Sequence, residues 1–200
     1  MKKKVVLAVV FVLLILGTVI LSCEKTEAKD YKKKIETGKT TIKKIKLIYG
    51  QDTLKIKLNS KKKYKIEAKN TKVANIDKKG NIELLAIGDS LINIYDEYGY
   101  RHEFFIKCRP SEFFAEDLTV KVGDTFKAKL NLGGAQVTDD FDKAYYLYHN
   151  GSEYEGEEIV HVNYENGLPL GNVTALKPGT VKMTIKWKDC ICSFTVTVIE

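Results

Sequence analysis

Ser90, within Gly88-Asp89-Ser90-Leu91, is a candidate nucleophile of this chain. A serine hydroxyl attacks a substrate only when a general base takes its proton and donors stabilise the oxyanion. The nearest downstream pairing of an acid with a histidine is Glu158-Ile159-Val160-His161, which alternates like a strand, and the three histidines are far apart in sequence. We therefore expect no catalytic residue and no enzyme activity.

The same four letters are similar to the nucleophile block of GDSL esterases, and the similarity ends there. That family implies an α/β domain with helices, the block near its start, and an Asp-x-x-His motif downstream. This sequence has no Asp-x-x-His motif after Ser90 and no long helical period. An esterase-like enzyme acting through Ser90 is therefore the third hypothesis, behind two non-catalytic ones.

The elements that position these residues are predicted to be strands. Apolar and polar residues alternate in segments such as TLKIKLN from Thr53, and turn residues recur about every 8–12 residues, as in β-sandwiches and barrels. Lys188-Asp189 predicts a tight hairpin, and Trp187 shares one strand face with Met183 and Ile185. We expect that face to be buried.

The first 23 residues are typical of an export signal or membrane anchor. Met1-Lys2-Lys3-Lys4 precedes an apolar run from Val5 to Leu21. Ile20-Leu21-Ser22-Cys23 is similar to a bacterial lipobox, which implies lipidation of Cys23. A lipoprotein, an uncleaved anchor helix and a secreted form remain open, and each places residues 24–200 outside the cytoplasm.

The other cysteines are expected to be apolar core residues. If Cys23 carries lipid, an odd number remains: Cys108, Cys190 and Cys192. Two cysteines at i and i+2 on a strand lie at or beyond the usual limit for a disulfide bridge. We therefore expect no complete disulfide framework.

Charge is distributed unevenly along the chain. Residues 24–72 hold 17 lysines and 6 acidic residues, whereas residues 111–200 hold 8 lysines and 14 acidic residues. A basic half next to the leader suits an anionic bilayer or wall polymer, and equally a solvated tether. Arginine occurs only twice and no nucleic-acid-binding motif is present, so nucleic acid is not an expected partner.

One pattern occurs twice. Val73–Tyr95 and Ile159–Ile185 each run strand, polar turn, glycine, short apolar stretch, alanine, glycine and alternating strand. The matched positions are Gly80 with Gly167, Ala86 with Ala175, and Gly88 with Gly179. A unit used twice predicts two similar domains.

The repeat resembles the group 2 bacterial immunoglobulin-like domains through Val73-Ala74-Asn75-Ile76-Asp77, Gly80, Ala86, Gly88 and Ile92, and more loosely in the second copy. The resemblance implies an all-β fold: two tandem immunoglobulin-like β-sandwiches after an N-terminal signal or anchor segment. The predicted divisions are 1–23 signal or anchor, 24–40 basic tether, 41–109 first sandwich and 110–200 second sandwich. In this register Gly88 is a turn residue with positive φ, and Ser90 begins a strand.

An acidic, tyrosine-rich segment is the candidate binding loop. Its carboxylates could bind Ca²⁺, but no calcium-loop order is present, so we expect no metal and no cofactor. Its tyrosines can stack on sugar or protein, and a solvated acidic loop is the alternative. The residues singled out are Asp139, Asp140, Asp142, Tyr154, Glu155, Glu157 and Glu158.

The sequence therefore favours a non-catalytic, membrane-anchored bacterial cell-surface protein. Its immunoglobulin-like modules would serve in binding or in presentation at the surface, through their exposed loops. The alternative is a structural spacer in an envelope assembly. The expected partners are the membrane, through an N-terminal lipid or helix, and an unidentified surface protein or glycan.

Overall fold

The structure, a computed structural model, describes residues 28–139, 141, 146–149, 159–165 and 168–200. Within these residues the regular structure is almost entirely β. The strands are β1 (Asp30–Lys34), β2 (Thr41–Ile48), β3 (Thr53–Lys57), β4 (Lys65–Lys69), β5 (Ala74–Ile76), β6 (Asn81–Leu84), β7 (Gly88–Tyr95), β8 (Arg101–Arg109), β9 (Phe114–Ala115), β10 (Leu118–Lys121), β11 (Thr125–Lys127), β12 (Leu130–Asn131), β13 (Tyr146–His149), β14 (Val160–Glu165), β15 (Leu168–Ala175), β16 (Gly179–Trp187) and β17 (Cys190–Ile199).

The first eight strands form the N-terminal sandwich. One sheet, the β3 sheet, has the order β1-β3-β6-β5, and the other, the β8 sheet, has the order β2-β8-β7-β4. Alternate apolar residues of each strand point between the two sheets because successive side chains of a strand face opposite ways. The fully buried centre includes Leu47, Ile56, Ile92, Ile94, Phe104 and Ile106.

The remaining strands form the C-terminal sandwich. Its sheets have the orders β10-β17-β16-β13 and β11-β15-β14, and β12 pairs with β9 beside them. Met183, Ile185 and Trp187 are buried on one face of β16, as the sequence predicts. The all-β prediction with two tandem sandwiches is confirmed.

The internal repeat is present in the backbone. The carbonyl of Val73 accepts hydrogen bonds from the amides of Leu85 and Ala86. In the same way, the carbonyl of Ile159 accepts hydrogen bonds from the amides of Leu176 and Lys177. The two copies therefore superpose Leu85 on Leu176. This register pairs Ala86 with Lys177 rather than with Ala175, so the alanine match made from sequence is wrong, because apolar letters alone do not fix a register.

Gly88 and Gly179 have the same structural role in the two copies. Their φ angles are +148° and +152°, where side chains are disfavoured. A Cβ at Gly88 would lie 2.6 Å from Val73 Cγ2, and one at Gly179 would lie 2.8 Å from Ile159 Cδ1. Gly88 is itself the first residue of β7, so Ser90 is the third residue of a strand and does not begin one.

Residues 30–34, predicted as part of the tether, form strand β1 instead. β1 pairs in parallel with β3. Tyr31 packs against the core and Ile35, just beyond the strand, is buried, so this lysine-rich segment has a period of two that its charges conceal. No helix in the described part of the chain is long and apolar enough to cross a membrane. The predicted leader, residues 1–23, lies outside the described residues.

The two glycine environments give a test of the repeat. We expect Gly88→Ala to lower the free energy of unfolding by about 2–4 kcal/mol, because left-handed strain adds to a clash with Val73. Gly99 also has positive φ but has open space around its Cα, so Gly99→Ala should cost only about 1 kcal/mol. Urea unfolding of both variants measures the difference. Equal costs would contradict the close approach of Gly88 to Val73.

Candidate functional site

Ser90 is held inside the N-terminal sandwich. Its side chain is buried, and its hydroxyl donates to the carbonyl of Lys69 on the neighbouring strand β4. Its cross-strand neighbour on β8 is Ile106. The geometry therefore gives Ser90 the role of a hydrogen-bonded core residue.

The neighbouring Asp89 belongs to an ion-pair cluster that joins the two sandwiches. At the end of β8, Arg109 is buried and donates from Nη1 to Asp89 Oδ1 at 2.7 Å. Its Nε donates to Asp189, in the β16–β17 turn. Lys188 Nζ, in the same turn, reaches back to Asp89 Oδ2 at 2.7 Å, and Lys46 Nζ contacts Asp189 Oδ2 at 3.0 Å. We call these five residues the junction cluster.

Trp187 provides an aromatic surface for the junction cluster. The guanidinium carbon of Arg109 lies 5.4 Å from the centroid of the Trp187 ring. This distance is within the range of cation–π attraction. Phe141 packs on the same ring at a centroid distance of 5.1 Å. The tip of the β16–β17 hairpin is therefore attached to the N-terminal sandwich by charge and by stacking together.

Arg109 also satisfies the backbone around it. Nη1 lies 3.1 Å from the carbonyls of Gly88 and Cys108. A buried charge is tolerated when its hydrogen-bonding capacity is used and its charge is paired. Elsewhere along the junction, the Ile87 amide donates to the Gln136 carbonyl at 2.9 Å.

The cluster shifts the acidity of its members. Burial alone would raise the pKa of Asp89, yet hydrogen bonds from Lys188 and Arg109 outweigh it and hold that pKa below its ordinary value. The same balance, with Arg109 and Lys46 as donors, lowers the pKa of Asp189. Burial opposes the charge of Arg109, but the two carboxylates more than offset it and raise its pKa. All three groups are therefore charged at neutral pH.

The described cysteines have no features of reactive thiols. Cys108, Cys190 and Cys192 are free thiols. Burial raises the pKa of Cys108 to about 12 and also raises the pKa values of Cys190 and Cys192. A thiol with a raised pKa is a weak nucleophile and a weak metal ligand at neutral pH.

A buried acid–histidine pair was missed by the sequence analysis. His102 Nε2 lies 3.7 Å from Asp96 Oδ2, and both side chains are fully buried. Asp96 accepts the amides of Gly38, Tyr98 and Tyr100, which organises the β7–β8 turn. Neither side chain presents surface to a substrate, so the pair is structural. The described residues contain no group of three or more potential metal ligands.

An open groove lies on one side of the N-terminal sandwich, between edge strands β4 and β5. Its volume is about 490 Å³, with Tyr64, Ile66, Ala68 and Ile76 in the lining and Lys62 and Lys78 also contributing. Beyond it, in the β7–β8 turn, Tyr98 is 65% exposed and lies 5.2 Å under Lys62 Nζ. Within the described chain β4 pairs only with β7, and β5 only with β6. No sequence motif marks this groove.

The sequence-predicted binding loop is described at one position only. Asp139 forms an ion pair with Lys72 at 2.9 Å, which lowers the pKa of Asp139 through the hydrogen bond. The other predicted site residues lie outside the described residues: Cys23, Asp140, Asp142, Tyr154, Glu155, Glu157 and Glu158. The assignment of these residues to a binding loop stays a prediction.

Comparison with known proteins gives distant structural similarity. No family model and no curated protein matches the chain. Domains 4 and 5 of the S-layer protein SbsC match with 18% identity and a TM-score of 0.31, over 68% of this chain and 77% of that one. The D00-D0 domain of intimin matches with 14% identity and a TM-score of 0.26, over 68% of this chain and 85% of that one.

A longer structure of SbsC matches with 18% identity and a TM-score of 0.30, over 68% of this chain. The match covers 20% of the length of that structure. The two-sandwich fold itself is defined by the strand pairings of this chain.

The junction cluster predicts an unequal response to losing each of the two arginines. We expect Arg109→Gln to lower the free energy of unfolding by about 2–4 kcal/mol, because it leaves Asp89 and Asp189 without their shared buried partner. Arg101 pairs with Glu103 through a side chain that is 55% exposed, so Arg101→Gln should cost less than about 1 kcal/mol. Denaturant unfolding followed by Trp187, the one tryptophan, compares them. Similar costs would contradict the cluster.

The same cluster predicts acid sensitivity. Because the pKa values of Asp89 and Asp189 are lowered in the folded state, their stabilisation is complete above the ordinary carboxyl pKa, about 3.9, and is lost as pH falls through the lowered values. In Arg109→Gln the two pKa values rise, so the acid transition of Trp187 fluorescence should move to higher pH. An unmoved transition would assign acid unfolding to other carboxyl groups.

Proposed function

We propose that this protein is a non-catalytic recognition module of the bacterial cell envelope, anchored through its N-terminal leader. The observation that carries the proposal is the groove between β4 and β5. It combines two sheet edges that have no second strand partner in the described part of the chain, apolar side chains inside, and charged residues in its lining: Lys62, Asp77 and Lys78. These are the features of a site that takes an extended chain from another protein.

The groove supplies both parts of such recognition. The backbone groups of an edge strand can pair with an added strand, while the pocket beside them takes every second side chain. Tyr64 lies in the lining, Tyr98 is 65% exposed beside Lys62 of the same lining, and tyrosine is enriched in binding surfaces. We therefore propose an extended segment of a surface protein as the partner, with a glycan as the alternative ligand of these aromatic rings.

The anchoring part of the proposal comes from the sequence. The apolar run from Val5 to Leu21 and the lipobox-like Ile20-Leu21-Ser22-Cys23 support attachment outside the cytoplasm, with Cys23 as the proposed lipid site. The resemblance to group 2 bacterial immunoglobulin-like domains agrees with this placement. Ser90, hydrogen-bonded within the core, supports the absence of esterase chemistry.

A structural spacer is the second candidate function. The junction cluster favours it, because a spacer transmits geometry only when its modules hold a fixed angle. In that case the groove has no partner.

Site-specific photocrosslinking separates the two functions. With a benzoylphenylalanine at Tyr98 of the full chain in its own envelope, we expect a discrete crosslinked product, because the exposed ring borders the groove. The matched control is the same probe at Ile191, which is 58% exposed on the C-terminal sandwich. A product at Tyr98 alone supports recognition through the groove. Absence of product at both positions would favour the spacer.

A further inference from the structure

We propose that the outer face of the β3 sheet is a binding site for the anionic lipid headgroups of the membrane to which the chain is anchored. The parallel pairing of β1 with β3 places Lys32 beside Lys55, and Lys34 beside Lys57. All four side chains are exposed on the outer face, since the alternate residues Leu54 and Ile56 point into the core. Partners in a parallel pair are about 4.8 Å apart, so these are rows of adjacent like charges.

The rows continue onto the next turn. The Ile56 amide donates to the Gly80 carbonyl at 2.8 Å, which brings the exposed Lys79 next to Lys57. We call Lys32, Lys34, Lys55, Lys57 and Lys79 the lysine face. The acids of this outer surface are Asp30 and Glu83, which flank Thr53 at its other end, and Asp77, which is hydrogen-bonded to Asn81 and lies near Lys79.

The lysine face has little internal neutralisation. Lys32 pairs with Asp30 at 2.9 Å, and among the described residues the other four lysines have no acid within ion-pair distance. Like charges on adjacent strands destabilise a sheet. The repulsion between these adjacent lysines is relieved when an external anion binds them, which favours anion binding at this face.

The opposite surface of the same sandwich has more of its charge in ion pairs. On the outer face of the β8 sheet, Lys46 lies beside Lys107, but Lys46 pairs with Asp189, and Glu67, Asp89 and Glu103 each lie within ion-pair distance of a lysine or arginine. Adjacent lysines therefore occur on both faces, and the lysine face differs in that fewer of its charges are paired within the protein.

The course of the chain places the lysine face near the bilayer. β1 runs parallel to β3, which starts at the end of the sandwich where Arg109 lies, so residue 30 lies near the junction and not at a tip of the molecule. Residues 24–29, if fully extended, span about 20 Å. A chain attached at mid-length by so short a segment can lie along the membrane with the neighbouring β3 sheet against it. This inference therefore rests on the proposed anchoring, and lipid is the phosphate source that the short connection favours.

The test measures amine acylation lysine by lysine, by mass spectrometry, on the full chain reconstituted in vesicles. One set is phosphatidylcholine and the other contains about one-third phosphatidylglycerol. We expect acylation of Lys34, Lys55 and Lys57 to fall roughly threefold or more on the anionic vesicles and to recover in about 1 M salt, since exposed charges are then screened. Lys44, Lys69 and Lys107, exposed on the β8 sheet, are internal controls and should not change.

Two matched triple variants complete the design. In Lys34→Gln/Lys55→Gln/Lys57→Gln, the protection of Lys32 and Lys79 should be lost. In Lys44→Gln/Lys69→Gln/Lys107→Gln, which removes the same charge from the other sheet, it should persist. Equal acylation on both kinds of vesicle, or equal protection of the control lysines, would overturn the proposal.

Two further arms separate the sources of failure. Protection by soluble polyphosphate on neutral vesicles, without protection by anionic vesicles, would assign the face to a free phosphate polymer and overturn the lipid site. Co-flotation of the chain with neutral vesicles reports anchoring alone. Loss of flotation would contradict the proposed anchoring, while the acylation pattern on added anionic vesicles would still decide the lysine face.

Discussion

The fixed relation between the two sandwiches depends on one buried guanidinium. Arg109 ends the last strand of the N-terminal sandwich, and its partners come from both sides: Asp89 from β7, and Asp189 from the β16–β17 turn. An unpaired charge at this depth would cost several kcal/mol, so the hairpin tip must stay in place for Arg109 to stay buried. The ring of Trp187 beneath it excludes water and adds cation–π attraction. Arg109 is thus the residue on which the two-sandwich arrangement depends.

This constraint changes the role of the segment that first suggested catalysis. Asp89 forms an ion pair with Arg109 at the junction of the two sandwiches. Ser90 donates a hydrogen bond to a strand carbonyl in the core, and the missing side chain of Gly88 leaves space for Val73. Each residue has a structural task that follows from its type. Gly179 repeats the task of Gly88 in the second sandwich, where the equivalent neighbour is Ile159. The repeat is therefore explained by packing.

Much of the fold could be predicted because local alternation determines it. The buried face of β16 and the tight turn at Lys188 and Asp189 follow from a period of two and from turn residues. Strand β1 was missed because lysines separate Tyr31, in the strand, from Ile35, just beyond it. The alanine match failed because the second copy is longer than the first, and apolar letters alone do not fix the register between copies of different length.

The candidate sites were harder to predict because they depend on distant partners. Arg109 and Asp189 are 80 positions apart, and nothing in their neighbouring residues marks either as part of an ion pair. The groove arises only where the edges of two sheets meet, so no contiguous motif encodes it. The lysine face depends on the parallel register of β1 on β3, whereas the sequence shows only lysines. Its composition predicted an anionic surface as one possible partner, and the register identifies the lysines that would meet it.

The most direct test of the account measures the orientation of the two sandwiches in solution. Residual dipolar couplings of the amides can be fitted separately to strands β1–β8 and β9–β17. If Arg109 locks the junction, both sets give the same alignment tensor in the wild type, and the two tensors differ in magnitude in Arg109→Gln. Different tensor magnitudes in the wild type would show that the sandwiches reorient independently, and would contradict the central role of the buried guanidinium.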